Sequence, residues 1–276
     1  MSWCAVDIRS PAESRDRVVA WLVGHTGQAI EERQDGTLVG FTPDRERAGM
    51  LLEALHAAFG AGIEGATRFL PDIDWSERWR DGLGPRVIGR LTITPSWTAV
   101  DDADSRTVIV DPESAFGTGE HGSTRTALVL LDRHLQHGDR VLDLGSGSGI
   151  LTIAAVKLGA SRATGVEIDA DVEPIARANA ERNGVTGRVG FLIGDAGALA
   201  PLLGPVELLV SNILHSVNVA LLPAIHGSLT ASGLAIFAGM ECDERSAFLP
   251  ELSAAGFTAV DEASDESWWA VAARAR

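Results

Sequence analysis

Short apolar runs alternate with longer amphipathic segments over the second half of the chain. The segments 149–158 and 171–184 place apolar residues at helical spacing, which predicts two of the helices. Strands separated by such helices form a parallel sheet that is covered on both faces. We therefore predict an α/β sheet with strands at 140–144, 163–168, 189–193, 208–211 and 234–238, and a closing pair of edge strands at 258–261 and 268–273.

The first seventy residues carry a different pattern. Their apolar runs predict strand, helix, strand, strand, helix and strand, which is the order of a small ferredoxin-like α+β domain. The middle strands, 28–32 and 37–41, flank the hairpin signal Asp35-Gly36. The helix at 44–59 is expected to bury an apolar stripe formed by Met50, Leu51, Ala54, Leu55 and Ala58.

A linker separates these two regions. It carries Trp75 and Trp79, which are four residues apart and would share one face of a short helix. Beyond it, the pattern predicts strands at 87–94 and 107–110. We therefore divide the chain into a ferredoxin-like domain at 1–70, a linker helix at 71–85 and a sheet domain at 86–276.

The composition narrows the class of protein. A formal net charge of −15 argues against an extended nucleic-acid-binding surface, because phosphate backbones require clustered Lys and Arg. The two cysteines, Cys4 and Cys242, make neither a disulfide framework nor a metal-ligand cluster, which fits a reducing compartment. No apolar run has the length of a membrane helix, and the first residues do not form a signal peptide. These features predict a cytoplasmic protein that does not insert into a membrane.

The most informative motif is the glycine-rich run at 141–149. A short apolar strand ends there in a Gly-x-Gly-x-Gly turn, and Glu167 follows Gly145 by 22 residues. Such a turn lets the backbone approach a ligand, and an acidic residue after the next strand can bind ribose hydroxyls. Ile150 occupies the position of the third glycine of the dinucleotide fingerprint, and the sequence has no phosphate-binding Gly-Lys-Ser/Thr motif. The motif favours a ligand with a ribose and few phosphates over NAD.

Candidate ligand-binding residues follow four successive strands of the predicted sheet. Gly145 and Gly147 follow the first strand, Glu167 the second, Asp195 the third and Asn212 the fourth. Ligands of open α/β sheets bind beyond the carboxyl ends of the strands, so we predict that these residues bind the cofactor. Each of the polar residues, taken alone, could instead be a turn residue or a helix cap.

The segment 111–124 is rich in glycine and hydroxyl residues, which indicates a loop that leads into a helix. As a flap over the cofactor, it would supply Phe116 as an apolar wall and Thr124 as a hydroxyl. Alternatively, it is a connector in which Ser123 or Thr124 caps the helix. His121 suggests a general base or a metal ligand, but one histidine is weak evidence for either, and we predict no metal.

Other stretches add specificity to these motifs, namely the loop segments 111–124 and 143–151, the run 176–184 and the tripeptide 212–214. Together they resemble the PrmA family of S-adenosylmethionine-dependent methyltransferases, and the resemblance covers nearly the whole chain. It implies a Rossmann-like class I methyltransferase sheet preceded by the small domain. It also implies S-adenosyl-L-methionine as cofactor and a ribosomal protein of the large subunit, L11, as the basic substrate. The implied cofactor contacts are Thr124, Gly145, Glu167 and Asn212.

Several positions depart from the family pattern. Glu167 stands where the family usually has Asp, an exchange that keeps the carboxylate. Glu120 replaces a usual Thr, Gly122 replaces a usual Pro, and His215-Ser216 replace small residues. We expect these last three sites to face the substrate pocket.

The implied reaction is an in-line displacement in which a neutral amine attacks the methyl carbon of the sulfonium. An ammonium cannot attack, so a lysine with a reference pKa of about 10.4 must first lose its proton. We predict that the Asn212 amide oxygen and nearby backbone carbonyls hold the amine, and that positioning supplies most of the catalysis. The alternatives are methyl transfer to another protein lysine or to a small molecule, and a degenerate cofactor-binding module without catalysis.

Overall fold

The computed structural model describes residues 4–11, 14–26, 30–33, 36–69, 84–98, 106–111 and 121–276. Contacts between Cα atoms divide the chain into two units, Met1–Gly82 and Leu83–Arg276. Most of the predicted linker, with Trp75 and Trp79, lies outside the described residues.

The first unit is a four-stranded sheet with two helices. Its elements are β1 (Cys4–Arg9), α1 (Arg15–Thr26), β2 (Glu31–Glu32), β3 (Leu38–Thr42), α2 (Arg45–Phe59) and β4 (Glu64–Phe69). The strand order is β2-β3-β1-β4, and every neighbouring pair is antiparallel. This order of elements is the ferredoxin-like arrangement that the sequence predicts.

Helix α2 packs one face on the core of this unit. The buried residues are Ala48, Leu51 and Leu55, at helical spacing. The predicted stripe was wrong at three positions, because the buried face also turns toward the half-buried Leu52 and Phe59. The exposed residues of the predicted stripe are Met50, Ala54 and Ala58.

The second unit contains a small three-stranded sheet made of β5 (Arg86–Ile88), β6 (Leu91–Thr94) and β7 (Thr107–Ile109). The single strand predicted at 87–94 is two strands, since β5 and β6 pair antiparallel. Gly89 lies between them with φ of +57°, a left-handed conformation that glycine adopts without strain and that reverses the chain.

A seven-stranded sheet forms the centre of the second unit. Its strands are β8 (Arg140–Leu144), β9 (Arg162–Glu167), β10 (Val189–Ile193), β11 (Val206–Asn212), β12 (Leu229–Glu241), β13 (Phe257–Asp265) and β14 (Trp268–Ala275). They lie in the order β10-β9-β8-β11-β12-β14-β13. The first five are parallel, and β14 is antiparallel to both of its neighbours.

Helices cover both faces of this sheet. In β11, Leu208 and Val210 belong to one apolar cluster and Leu209 belongs to the other, so the strand is buried on both sides. Among the described residues, no helix is long and apolar enough to cross a membrane. The helices of this unit are α3 (Gly122–His134), α4 (Ile150–Leu158), α5 (Glu173–Arg182), α6 (Ala196–Leu203), α7 (His215–Gly227) and α8 (Arg245–Ala254).

The two last strands pair with each other, as the sequence predicts, but they are not both edge strands. Only β13 lies at the edge, whereas β14 is inserted between β12 and β13. The small residues Ala270, Ala272 and Ala273 are fully buried there, which fits a strand covered on both faces. Because β14 runs antiparallel to β12, its first residue, Trp268, pairs with Glu241 near the end of β12. Trp268 therefore lies at the edge where the parallel strands end.

Candidate active site

A pocket of about 530 Å³ lies across the carboxyl ends of the parallel strands of the large sheet. All of its lining residues belong to the second unit. In the order of the strands, its lining includes Asp195 after β10, Glu167 on β9, Gly145 after β8, Asn212 on β11, Gly239 on β12 and Trp268 on β14. The structure thus brings together the predicted residues Gly145, Gly147, Glu167, Asp195 and Asn212.

The turn after β8 depends on glycine. Gly145 has a φ of +72°, and a Cβ atom at this position would lie 2.5 Å from Cγ2 of Ile213. The N–H groups of Gly145 and Ser146 both donate to the carbonyl of Val166, at 2.9 and 3.1 Å. A side chain at position 145 would strain this turn and displace Ile213, which also lines the pocket.

The backbone holds the carboxylate of Glu167 in place. Its Oε2 accepts a hydrogen bond from the N–H of Gly147 at 2.9 Å. Its Oε1 accepts from the N–H groups of Ile168 and Asp169, at 2.9 and 3.1 Å. Since an ionised carboxylate has about four acceptor sites, Oε2 keeps a lone pair for a ligand hydroxyl.

Asn212 is the last residue of β11 and is 9% exposed. Its Nδ2 donates to Oγ1 of Thr124 at 3.5 Å, and Thr124 is fully buried. Thr124 is not among the residues that line the pocket, so it contacts Asn212 from behind. The buried Oδ1 of Asn212 has no hydrogen-bond partner within the described part of the chain. A ligand donor in the pocket would remove the cost of this unpaired acceptor, which is about 1–3 kcal/mol.

Asp143 lies one residue before the end of β8 and is fully buried. Burial raises its pKa to about 6, and the nearby charge of Glu167 acts in the same direction. The hydroxyl of Thr152 opposes this shift by donating to Oδ2 at 2.6 Å. Oδ1 of Asp143 has no partner among the described residues.

Asp195 combines two of the roles that the sequence left open. It is the N-cap of α6, where its Oδ1 accepts from the N–H of Ala198 at 2.8 Å, and it also lines the pocket. The predicted apolar wall, Phe116, lies outside the described residues, as does Glu120.

His121 is the N-cap residue of α3, so the alternative in which Ser123 or Thr124 caps this helix was wrong. The helix begins earlier than predicted, at Gly122, and its cap makes no side-chain hydrogen bond to the backbone. Nδ1 of His121 lies 2.8 Å from Oγ of Ser123. Burial and the charge of Arg125 lower the pKa of His121, so its ring is neutral at pH 7.

A buried asparagine that the sequence reasoning missed, Asn218, fixes the turn after β11. Its Oδ1 accepts from Oγ of Ser211 at 2.7 Å. Its Nδ2 donates to the carbonyls of Ile213 and Ala238, at 3.0 and 2.9 Å. Because the Ile213 carbonyl is already bonded, it is a poorer candidate than Asn212 Oδ1 for holding an amine.

A second missed asparagine, Asn179, holds the glycine loop from the side of α5. Its Nδ2 donates to the carbonyls of Ser148 and Asp111, at 2.9 and 3.1 Å, and its Oδ1 accepts from the N–H of Asp111 at 3.0 Å. Asn179 lies in the run 176–184, so the resemblance pointed to this segment, but its hydrogen bonds depend on residues distant in sequence.

The prediction that His215 and Ser216 face the pocket is not met, since neither residue lines it. The ring of His215 instead packs edge-on against Phe248, with 5.7 Å between centroids. The reason is that α7 begins at His215, which turns its first residue toward α8. The first pocket-lining residue of α7 is Val217.

Two features separate this unit from dinucleotide-binding proteins. The glycine turn lacks the third fingerprint glycine, and the sheet contains a strand inserted antiparallel near its edge. Fold and site define a class I S-adenosylmethionine-dependent methyltransferase.

Comparison with known proteins identifies the family. The family described as Ribosomal protein L11 methyltransferase (PrmA) matches residues 5–276. A relative from Thermus thermophilus, named Ribosomal protein L11 methyltransferase, is 40% identical over 223 residues, which cover 81% of this chain and 86% of the relative. One of the same name from Pelotomaculum thermopropionicum is 31% identical over 307 aligned positions, 99% of both chains. The chain belongs to this family.

A solved structure agrees with the assignment. The crystal structure of a ribosomal protein L11 methylase from Lactobacillus delbrueckii subsp. bulgaricus has a TM-score of 0.63 and 27% identity to this chain, and the match covers 70% of this chain and 100% of that one. The chain is therefore an S-adenosylmethionine-dependent protein methyltransferase.

Proposed function

We propose that this enzyme transfers methyl groups from S-adenosylmethionine to amino groups of ribosomal protein L11, on lysine side chains or the N-terminal amine, in the cytoplasm. The names of its relatives support the substrate. The net charge of −15 is compatible with a basic protein substrate. The observation that carries the proposal is the buried, unpaired Oδ1 of Asn212 in the pocket.

The residues at one end of the pocket suit the cofactor. Glu167 offers the lone pair on Oε2 to a ribose hydroxyl, and the exposed Ile168 offers an apolar surface to the adenine. Gly145 and Gly147 allow a close approach to the backbone, and Asp195 lies beside this end. S-adenosylmethionine supplies the electrophilic methyl group. Phe116 remains a predicted apolar wall of the cofactor site.

The acceptor amine is held by Asn212. Because Nδ2 of Asn212 donates to Thr124, its Oδ1 is left to accept an N–H of the amine and to direct the nitrogen lone pair. The apolar side chains of Leu214, Val217 and Leu221 line the same pocket. An apolar surrounding lowers the pKa of an ammonium and favours the neutral amine that reacts. Positioning of this neutral amine then supplies most of the catalysis.

We assign recognition of the protein substrate to the first domain, residues 1–70, with 71–85 as the linker helix. This domain has an apolar core of its own, and none of its described residues lines the pocket. Its surface is therefore available for contacts that the methyl transfer itself does not need.

The test is the intact mass of L11 from the same source after incubation with the enzyme and S-adenosylmethionine. We expect mass increases in methyl-sized steps. Asn212→Ala should lower kcat by about a hundredfold or more, because a misplaced amine reacts far more slowly. Val260→Ala is the matched control, since Val260 is an exposed residue of β13 outside the pocket.

Calorimetry with S-adenosylmethionine separates binding from turnover. Asn212→Ala is expected to lose transfer but to keep measurable cofactor binding, because Glu167 and the glycine turn still hold the cofactor. Unchanged turnover in this variant would remove Asn212 from its role. If the wild-type enzyme binds the cofactor but does not modify L11, the acceptor is another protein lysine or a small molecule.

A further inference from the structure

Asn212 divides the pocket into two halves along the ends of the strands. Glu167 on β9 lies two strands away in one direction, with Asp195 one strand further, and Trp268 on β14 lies two strands away in the other. With strands spaced about 4.8 Å apart, Glu167 and Trp268 each lie about 10 Å from Asn212 along the sheet. The half that holds Glu167 suits the cofactor, which leaves the half with Trp268 for the acceptor.

The Trp268 indole occupies space that exists only because residue 122 is glycine. A Cβ atom on Gly122 would lie 2.5 Å from Cδ1 and 3.0 Å from Cγ of Trp268. Gly122 does not have a positive φ, so its backbone does not require glycine. The glycine therefore serves to make room for the indole at the start of α3.

A second ring extends this surface. The centroids of His121 and Trp268 are 4.3 Å apart, their planes are tilted by 57°, and both residues line the pocket. The neighbouring Trp269 is different, since it is 3% exposed and its Nε1 donates to Glu262 Oε2 at 2.8 Å. Alternation along the strand thus places one tryptophan in the core and the other in the pocket.

We propose that Trp268, together with His121, forms an aromatic wall that binds the aliphatic stem of the acceptor side chain and, before the amine loses its proton and reaches Asn212, its ammonium group, and thereby determines affinity for the acceptor. This inference rests on the proposed function. Aromatic faces attract ammonium and methylated ammonium groups, and they pack against alkyl chains. His121 adds no positive charge at pH 7 and so does not repel the acceptor.

The test is the steady-state methylation of L11 by the full chain. Trp268→Leu should raise KM for L11 about tenfold, because it keeps apolar volume but removes the aromatic face. Trp268→Phe should keep KM within about threefold of the wild-type value, because it keeps an aromatic ring. The Kd for S-adenosylmethionine and the thermal unfolding midpoint serve as controls, and both should stay close to the wild-type values.

Gly122→Ala provides an independent arm. In the wild-type background its methyl group displaces the indole, so KM for L11 should rise as in Trp268→Leu. In the Trp268→Ala background the same change should leave KM nearly unaltered, since the indole is gone and the nearest remaining atom to the new Cβ is the carbonyl oxygen of Asp265, at 3.3 Å. A structural effect on α3 would instead raise KM equally in both backgrounds.

The outcomes separate the two proposals. An unchanged KM in Trp268→Leu, a loss in Trp268→Phe as large as in Trp268→Leu, or equal effects of Gly122→Ala in both backgrounds would each overturn the aromatic wall while L11 methylation stands. A wild-type enzyme that binds the cofactor but does not methylate L11 overturns the proposed function, and the wall for this acceptor falls with it.

Discussion

The amino and carboxyl ends of the parallel strands in the seven-stranded sheet are built differently. Where β8 and β11 begin, the carboxylate of Glu207 accepts bonds from the backbone N–H of Arg140 at 2.9 Å and from its guanidinium at 3.1 and 2.8 Å. Where the same two strands end, Oδ1 of Asp143 and Oδ1 of Asn212 are buried and unpaired among the described residues. At the amino ends of these strands the charged groups are paired, whereas at their carboxyl ends two hydrogen-bond acceptors have no partner among the described residues.

This difference extends to the rest of the described part of the second unit. All of its buried side-chain polar atoms without a hydrogen-bond partner belong to residues at or just after the ends of β8 and β11, namely Asp143, Ser146, Asn212 and His215. Proteins normally pair nearly all such atoms. Of these four residues only Asn212 lines the pocket, so Asn212 is the one whose missing hydrogen bond a ligand in the pocket can supply.

The largest effect is expected for Asp143, at the carboxyl end of β8, and it concerns the pH dependence of stability. Its folded-state pKa of about 6 lies above the ordinary aspartate value of 3.8, so the folded enzyme holds this proton to a higher pH than the unfolded chain does. Its contribution to stability is therefore present below about pH 4 and is lost as the pH rises to about 6. The free energy of unfolding should fall over this interval by about 3 kcal/mol relative to Asp143→Asn.

Urea unfolding of the two proteins without cofactor, at pH values from 4 to 7, measures this difference. Asn at position 143 retains an oxygen for Thr152 but does not titrate, so only the pH dependence should change. Parallel pH profiles for the two proteins would show that burial does not raise the pKa of Asp143.

Glu167 tests whether the cofactor rests on the pocket edge as proposed. Glu167→Gln should raise the Kd for S-adenosylmethionine about thirtyfold, because a hydrogen bond to a charged group contributes about 2 kcal/mol. Glu167→Asp is the matched control, since it keeps the carboxylate, and it should stay within about fivefold of wild type. Calorimetry gives both values, and equal affinity of Glu167→Gln and wild type would place the ribose elsewhere.

The cofactor half of the pocket was largely accessible from sequence. Gly145, Glu167 and Asn212 follow parallel strands, and the rule that ligands bind beyond the carboxyl ends of such strands brought them to one edge. Their hydrogen bonds are also partly local, as in the contact from Gly147 to Glu167. Local pattern and sheet direction sufficed for these residues.

The acceptor half was not accessible in the same way. Trp268 lies at the amino end of its strand, and it reaches the pocket only because β14 is antiparallel and inserted beside β12. The apolar pattern of 268–273 predicted a strand paired with 258–261, but not its insertion beside β12. Gly122 could not be matched with Trp268 either, because their contact joins residues far apart in sequence.

The smallest effect on stability is expected for Glu207, which forms the ion pair with Arg140 at the amino ends of β8 and β11. The hydrogen bond from the Arg140 side chain lowers the pKa of Glu207 to about 2, below the ordinary glutamate value of 4.5. Its contribution to stability is therefore present above about pH 4.5 and is lost as the pH falls toward 2. The side chains of Arg140 and Glu207 are 50% and 35% exposed, so solvent screens this ion pair.

Glu207→Gln should therefore lower the free energy of unfolding at pH 7 by less than about 1 kcal/mol. It should leave the Kd for S-adenosylmethionine and the KM for L11 unchanged, because the pair lies at the opposite end of the strands from the pocket. Urea unfolding and calorimetry measure the two quantities. A change in cofactor affinity would mean that the Arg140–Glu207 pair, at the amino ends of β8 and β11, is energetically coupled to the pocket at their carboxyl ends.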